Sequence, residues 1–113
     1  MILQILKIVA ALATVATGAL ALFAPRSVFG FTGLVAPGPR GITEIRAVLG
    51  GLFIGLGLAP FVLQHPAAYR MLGVAYLAIF AARLVSLFVD KSFEQSNIIS
   101  LVVEIALGVI LIL

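Results

Sequence analysis

Four runs of apolar residues, each about as long as a bilayer is thick, leave this chain very few folds to adopt. A helix crossing the ~30 Å hydrocarbon core needs about 20 mostly apolar residues at 1.5 Å each. Residues 3–23 form the first run, which stops at Pro25, where a missing N–H and a ring clash end helices. Residues 42–63 form the second, with Pro60 in its last turn and His65-Pro66 closing it. Residues 69–89 and 96–113 form the third and fourth, and each carries one charge inside, Arg83 and Glu104. In lipid every backbone polar group must be paired within the chain, so runs of this kind are helices rather than open sheet.

Water is excluded as the solvent by composition. Of 113 residues, 64% are hydrophobic and 10% charged, with mean hydropathy +1.33. Soluble domains carry about 25% charged residues, and a monomer this short buries only about 60–70% of its unfolded surface. The expected architecture is therefore all-α: one domain, residues 1–113, folded as an antiparallel four-helix transmembrane bundle. The tight link after His65 and the short polar one at 90–95 make helices 2 and 3, and 3 and 4, antiparallel neighbours.

The first connection, residues 24–41, is different. Pro25, Pro37, Pro39 and four glycines are interleaved with Phe29, Phe31, Leu34 and Val35. A loop that apolar is expected in the membrane interface or folded back on the bundle, either as a connector or as a lid over a cavity. Residues 1–21 could pass as a signal peptide, with Lys7, an apolar stretch and Ala19-Leu20-Ala21. The uncharged stretch of residues 8–25 is long for such a segment, so it is expected to stay as the first helix.

Charge patterning removes further classes. Seven basic and four acidic residues, net +3, are scattered without a basic run or helix face, so no nucleic-acid partner is expected. With no cysteine there is no thiolate metal site, covalent haem attachment or Cys nucleophile. No nucleophile has a base at suitable spacing, and nothing implies a metal or another cofactor. His65, alone before a proline, is read as solvated or capping. Gly30-Phe31-Thr32-Gly33 and Gly38-Pro39-Arg40-Gly41 follow no strand, so phosphate-loop readings fail on context. Four helices put both termini on one side. The opposite side carries Arg26, Arg40 and Lys91 against Lys7 and Arg70, which makes that side cytoplasmic by the positive-inside rule and the termini non-cytoplasmic.

Each helix also has a small or polar face at helical spacing, expected to turn inward because lipid offers it nothing. These faces are Ala10, Thr14, Thr17, Gly18 and Ala21; then Thr43, Arg46, Gly50 and Gly57, with Gly51 and Gly55 at GxxxG spacing; then Tyr76, Arg83, Ser86 and Asp90; then Asn97, Ser100, Glu104 and Gly108. Tyr76 is read as interior packing. Depth then places the charges. Arg83 lies seven residues before Asp90, about 10 Å in, and Glu104 eight after Ser96, about 12 Å in. An unpaired charge near the bilayer centre costs at least roughly 3 kcal/mol, so an Arg83–Glu104 pair with Arg46 close by is expected. Glu44, Arg46, Arg83, Asp90 and Glu104 would form one charge network. Its role is either to fix which helix faces point inward, or, with Thr17 and Ser86, to line a pocket for an amphiphile's polar head or to relay a proton.

The string from Gly41 to Gly51, Gly-Ile-Thr-Glu-Ile-Arg-Ala-Val-Leu-Gly-Gly, followed by Gly55-Leu-Gly, then Ala82-Arg83-Leu-Val-Ser86 with Asp90, and finally Glu104, resembles a bacterial family of small four-helix membrane proteins defined only as domain of unknown function 4345. Arg46, Gly50, Gly51, Arg83, Ser86, Asp90 and Glu104 match its motifs, whereas Lys91 stands where the family usually has Gly after the Asp. The resemblance spans nearly the whole chain. It implies a four-helix bundle in a bacterial cytoplasmic membrane and a role for those charges, but no activity.

Small size and little mass outside the membrane point to a non-enzymatic accessory or structural subunit. Its partners would be membrane lipid, other membrane subunits, or a second copy through the helix 2 glycines. The alternative is a small carrier or enzyme that binds a quinone- or lipid-like molecule at Arg46, Arg83 and Glu104.

Overall fold

The computed structural model describes all 113 residues, and these form helices and turns but no strand. Four helices, α1 (Ile2–Phe23), α2 (Pro39–Leu63), α3 (Pro66–Val89) and α4 (Gln95–Ile112), are each long and apolar enough to cross a bilayer, which is compatible with a multi-pass membrane protein. Their ends fall within three residues of those read from the sequence. Helices α2 and α3 both start earlier, because Pro39 and Pro66 sit in the first turn, where a missing N–H costs nothing. His65 caps α3: its side chain accepts a 3.0 Å bond from the Ala67 N–H.

Two departures from regular helix matter. Within α2, residues Ile45–Leu52 are π-helical between the α-helical stretches Pro39–Glu44 and Phe53–Leu63. π-Helical segments are rare and frequently lie at functional sites. At the end of α3, Lys91 takes the left-handed conformation, φ 52°, and the Ser92 N–H donates to the Leu87 carbonyl at 3.1 Å. This is a Schellman closure built without glycine. The turn therefore keeps its tightness although Lys91 replaces the usual Gly. The first connection is also more ordered than a plain loop: a 3₁₀ turn, Pro25–Val28, leads into a one-turn helix, Phe29–Thr32, stopped by Gly33 at φ 77°. Of its apolar residues Phe29 is half-buried, while Phe31, Leu34 and Val35 are exposed.

The chain divides into two compact units, residues 1–10 with 65–113, and residues 11–64. In the second, α1 and α2 run antiparallel at backbone contact. A methyl group on Gly18 would fall 2.7 Å from the Gly50 carbonyl oxygen, and one on Gly57 would fall 2.8 Å from that of Ala11. In the first, α3 and α4 pack the same way. A methyl on Gly73 would meet the Ile112 nitrogen at 2.9 Å, and one on Gly108 the Leu77 side chain. Small residues at these crossings let backbones approach, which is how helices associate when lipid is as apolar as leucine. The outer faces stay apolar: Val62, Met71, Val85 and Val102 are each more than half exposed.

Candidate functional site

Arg83 and Glu104 meet across α3 and α4. The guanidinium binds the carboxylate with two bonds, Nε to Oε1 and Nη2 to Oε2, both 2.7 Å. Glu104 is buried and Arg83 half-buried. Two parallel charge-assisted bonds are the strongest geometry available to this pair. The third arm is also held: Nη1 donates to the Asn97 side-chain oxygen at 2.7 Å. Asn97 lies two helical turns before Glu104 on α4, so one face of that helix supplies both acceptors.

From Asn97 the bonds continue to the membrane edge. Its amide nitrogen donates to the Ser92 carbonyl at 2.9 Å and to the Ser92 hydroxyl at 3.1 Å. That hydroxyl in turn donates to Glu94 at 2.7 Å. The Ser92 hydroxyl, and after it Glu94's own backbone N–H, hold the Glu94 carboxyl below the usual carboxylate range. A hydrogen-bonded file thus runs from Glu104 through Arg83, Asn97 and Ser92 to an exposed carboxylate. Beside it, Phe88 and Phe93 meet edge to face with ring centroids 5.4 Å apart, joining the end of α3 to the start of α4. No buried side-chain nitrogen or oxygen in the chain lacks a partner.

The other expected site residues are placed differently. Ser86 donates to Asp90 at 2.6 Å, one turn along α3, so this carboxylate is engaged locally. Glu44 pairs with Arg40 on its own helix, not with Arg46. The single network expected of five charges is therefore not formed: Glu44 and Asp90 each take a partner one turn away on their own helix, and only Arg83 and Glu104 pair across helices. Thr17 does not face inward: it is exposed, and its hydroxyl donates to the Ala13 carbonyl at 2.9 Å, the usual refuge of a helical threonine in an apolar medium. Arg46 is exposed, inside the π-helical stretch, and has neither an ion-pair partner nor a side-chain hydrogen bond. Gly51 and Gly55, expected among the inward residues, are exposed as well.

Ser92 and Glu94 escaped the sequence reading, which treated 90–95 as a polar link. The signal was Asn97 on the polar face of helix 4, whose amide needs partners on both sides. Chemically, the cluster is a closed, neutral pair with a polar tail that ends in the Ser92 hydroxyl donating to the Glu94 carboxylate. No group of three or more His, Asp or Glu residues is placed to hold a metal ion.

Among known proteins, a family model described as "Domain of unknown function (DUF4345)" matches residues 2–113. No curated protein and no solved structure matches the chain.

Proposed function

The chain belongs to the DUF4345 family, and from that premise we propose that it is a non-enzymatic accessory or structural subunit acting within the plane of a cytoplasmic membrane. One observation carries this reading. The one basic residue inside α3's apolar interior, Arg83, is neutralised by Glu104 and bound again by Asn97, so the pair is occupied with holding α3 to α4. A substrate head group would have to break two charge-assisted bonds to enter, at a cost of roughly 3 kcal/mol or more. What the molecule offers to others is its outer surface, apolar along its length, with exposed small residues at Gly51 and Gly55. Such a surface suits a membrane subunit or a second copy.

The alternative, a carrier or enzyme for an amphiphile at Arg46, Arg83 and Glu104, draws support only from Arg46, which has no partner of its own. Purification in mild detergent followed by mass spectrometry separates the two. A stoichiometric membrane protein, or a second copy that persists on dilution, supports the subunit reading. A defined quinone- or lipid-like molecule lost on Arg83→Met substitution overturns it.

A further inference from the structure

The antiparallel register of α1 and α2 brings two unpaired arginines to one end of the helix pair. A methyl on Gly50 would lie 3.0 Å from the Leu22 nitrogen, one on Gly18 2.8 Å from the Ile54 nitrogen, and one on Gly57 3.0 Å from the Val15 nitrogen. Residues 22 and 50, 18 and 54, and 15 and 57 are therefore opposite each other. Four residues beyond Leu22 stands Arg26; four before Gly50 stands Arg46. Arg26 stands in the 3₁₀ turn that follows α1, and Arg46 in the π-helical stretch before Gly50, so both lie beyond the Leu22–Gly50 contact at the same end of the helix pair.

Neither arginine has a partner. Both are exposed, and neither makes an ion pair or a side-chain hydrogen bond. Glu44 is the only carboxylate within residues 11–64, and Arg40 occupies it. This end of the unit therefore holds three guanidiniums against one carboxylate. Arg46 lies inside the apolar span Pro39–Leu63. A charge there must find a counter-ion or reach the head-group layer.

We propose that Arg26 and Arg46 form a binding site for the phosphate of an anionic phospholipid, with its acyl chains lying along the exposed side chains of Phe23 and Leu52. A guanidinium binds two phosphate oxygens in a fork, and two long arginine side chains at the same end of a helix pair can share a single phosphodiester. The bilayer supplies that group at the depth where these arginines end. The π-helical Ile45–Leu52 stretch turns the residues around Arg46 away from the azimuth a regular helix would give them. The site concerns lipid and not a protein subunit, so it stands independently of the accessory-subunit reading: a partner protein can be found or missed without changing the lipid preference.

The test is native mass spectrometry of the delipidated full chain, titrated with phosphatidylglycerol and with phosphatidylcholine of the same acyl chains. Wild type is expected to prefer phosphatidylglycerol. Arg26→Gln and Arg46→Gln should each reduce that preference about fivefold, the weight of one basic residue at an anionic surface. Arg46→Lys should keep more of it than Arg46→Gln, and Arg40→Gln combined with Glu44→Gln should leave it unchanged, because those two charges neutralise each other. Three results would overturn the proposal: equal binding of the two lipids by wild type, a loss with the Arg40→Gln, Glu44→Gln double variant as large as with Arg46→Gln, or displacement by inorganic phosphate at constant ionic strength. The lysine variant and the double variant exclude a folding defect as the cause.

Discussion

Deleting one member of the Arg83–Glu104 pair gives the sharpest measure of what holds α3 to α4. In Glu104→Leu the bonds from Arg83 Nε and Nη2 lose their acceptor, and only the 2.7 Å bond to Asn97 remains. Stranding a fully buried charge costs about 3–5 kcal/mol. The Arg83 side chain keeps 31% of its exposure against 10% for Glu104, and it starts only about 10 Å from the end of α3, within reach of the interface. The expected cost is therefore nearer 2–3 kcal/mol, roughly 30- to 150-fold in the ratio of folded to unfolded protein. Arg83→Met strands Glu104 instead and should cost a similar amount. Glu104→Leu combined with Arg83→Met removes both charges and leaves apolar groups of similar volume, so the double variant should be more stable than either single one. Unfolding in mixed micelles by a titration of dodecyl sulfate, followed by far-ultraviolet circular dichroism, yields the four free energies of the cycle. A coupling of at least about 1.5 kcal/mol is expected. A coupling under about 0.5 kcal/mol, the scatter of independent sites, would refute the clamp.

Four further outcomes follow from the same structure. Gly57→Ala should destabilise by about 1–3 kcal/mol, because its methyl would fall 2.8 Å from the Ala11 carbonyl oxygen. Gly55→Ala, with open space around it, should be neutral or gain up to about 1 kcal/mol of helix propensity; the same titration checks both. Lys91→Gly should stabilise the α3–α4 turn by about 1 kcal/mol, since glycine carries no penalty at φ 52°, read as slower amide exchange at Ser92. Ser92→Ala should move the Glu94 titration, followed by carboxyl NMR, upward toward the ordinary glutamate range, with the Glu94 backbone N–H still holding it below. The carboxyl is held low in the folded chain, so its contribution to the turn is present above the ordinary glutamate range and fades as pH falls through its lowered value.

Length and depth were legible in the residues alone. Span length and proline breaks set the four helices, because a bilayer demands a fixed number of residues at a fixed rise. The same one-dimensional ruler put Arg83 and Glu104 at matching depths, and they pair. Direction around each helix was far less legible. In water, polar residues mark the outer face of a helix, but here leucine and valine suit both the lipid and the interior. Small residues were the remaining signal, and they proved ambiguous. Gly18, Gly50, Gly57, Gly73 and Gly108 sit at close crossings, while Gly51 and Gly55, of the same type on the same helix, are exposed. Only the packed neighbours separate the two groups. Thr17 was misplaced for a related reason: a hydroxyl that can bond its own helix at Ala13 has no need of the interior. The charges of α2 were decided by tertiary structure as well. Glu44 takes Arg40 one turn away and leaves Arg46 without a partner in a π-helical stretch whose widened turn no residue pattern announces. Sequence thus determined how deep each group lies, since depth is counted along one chain. The azimuth of each group depends on which other helix lies beside it, and only the folded structure decides that.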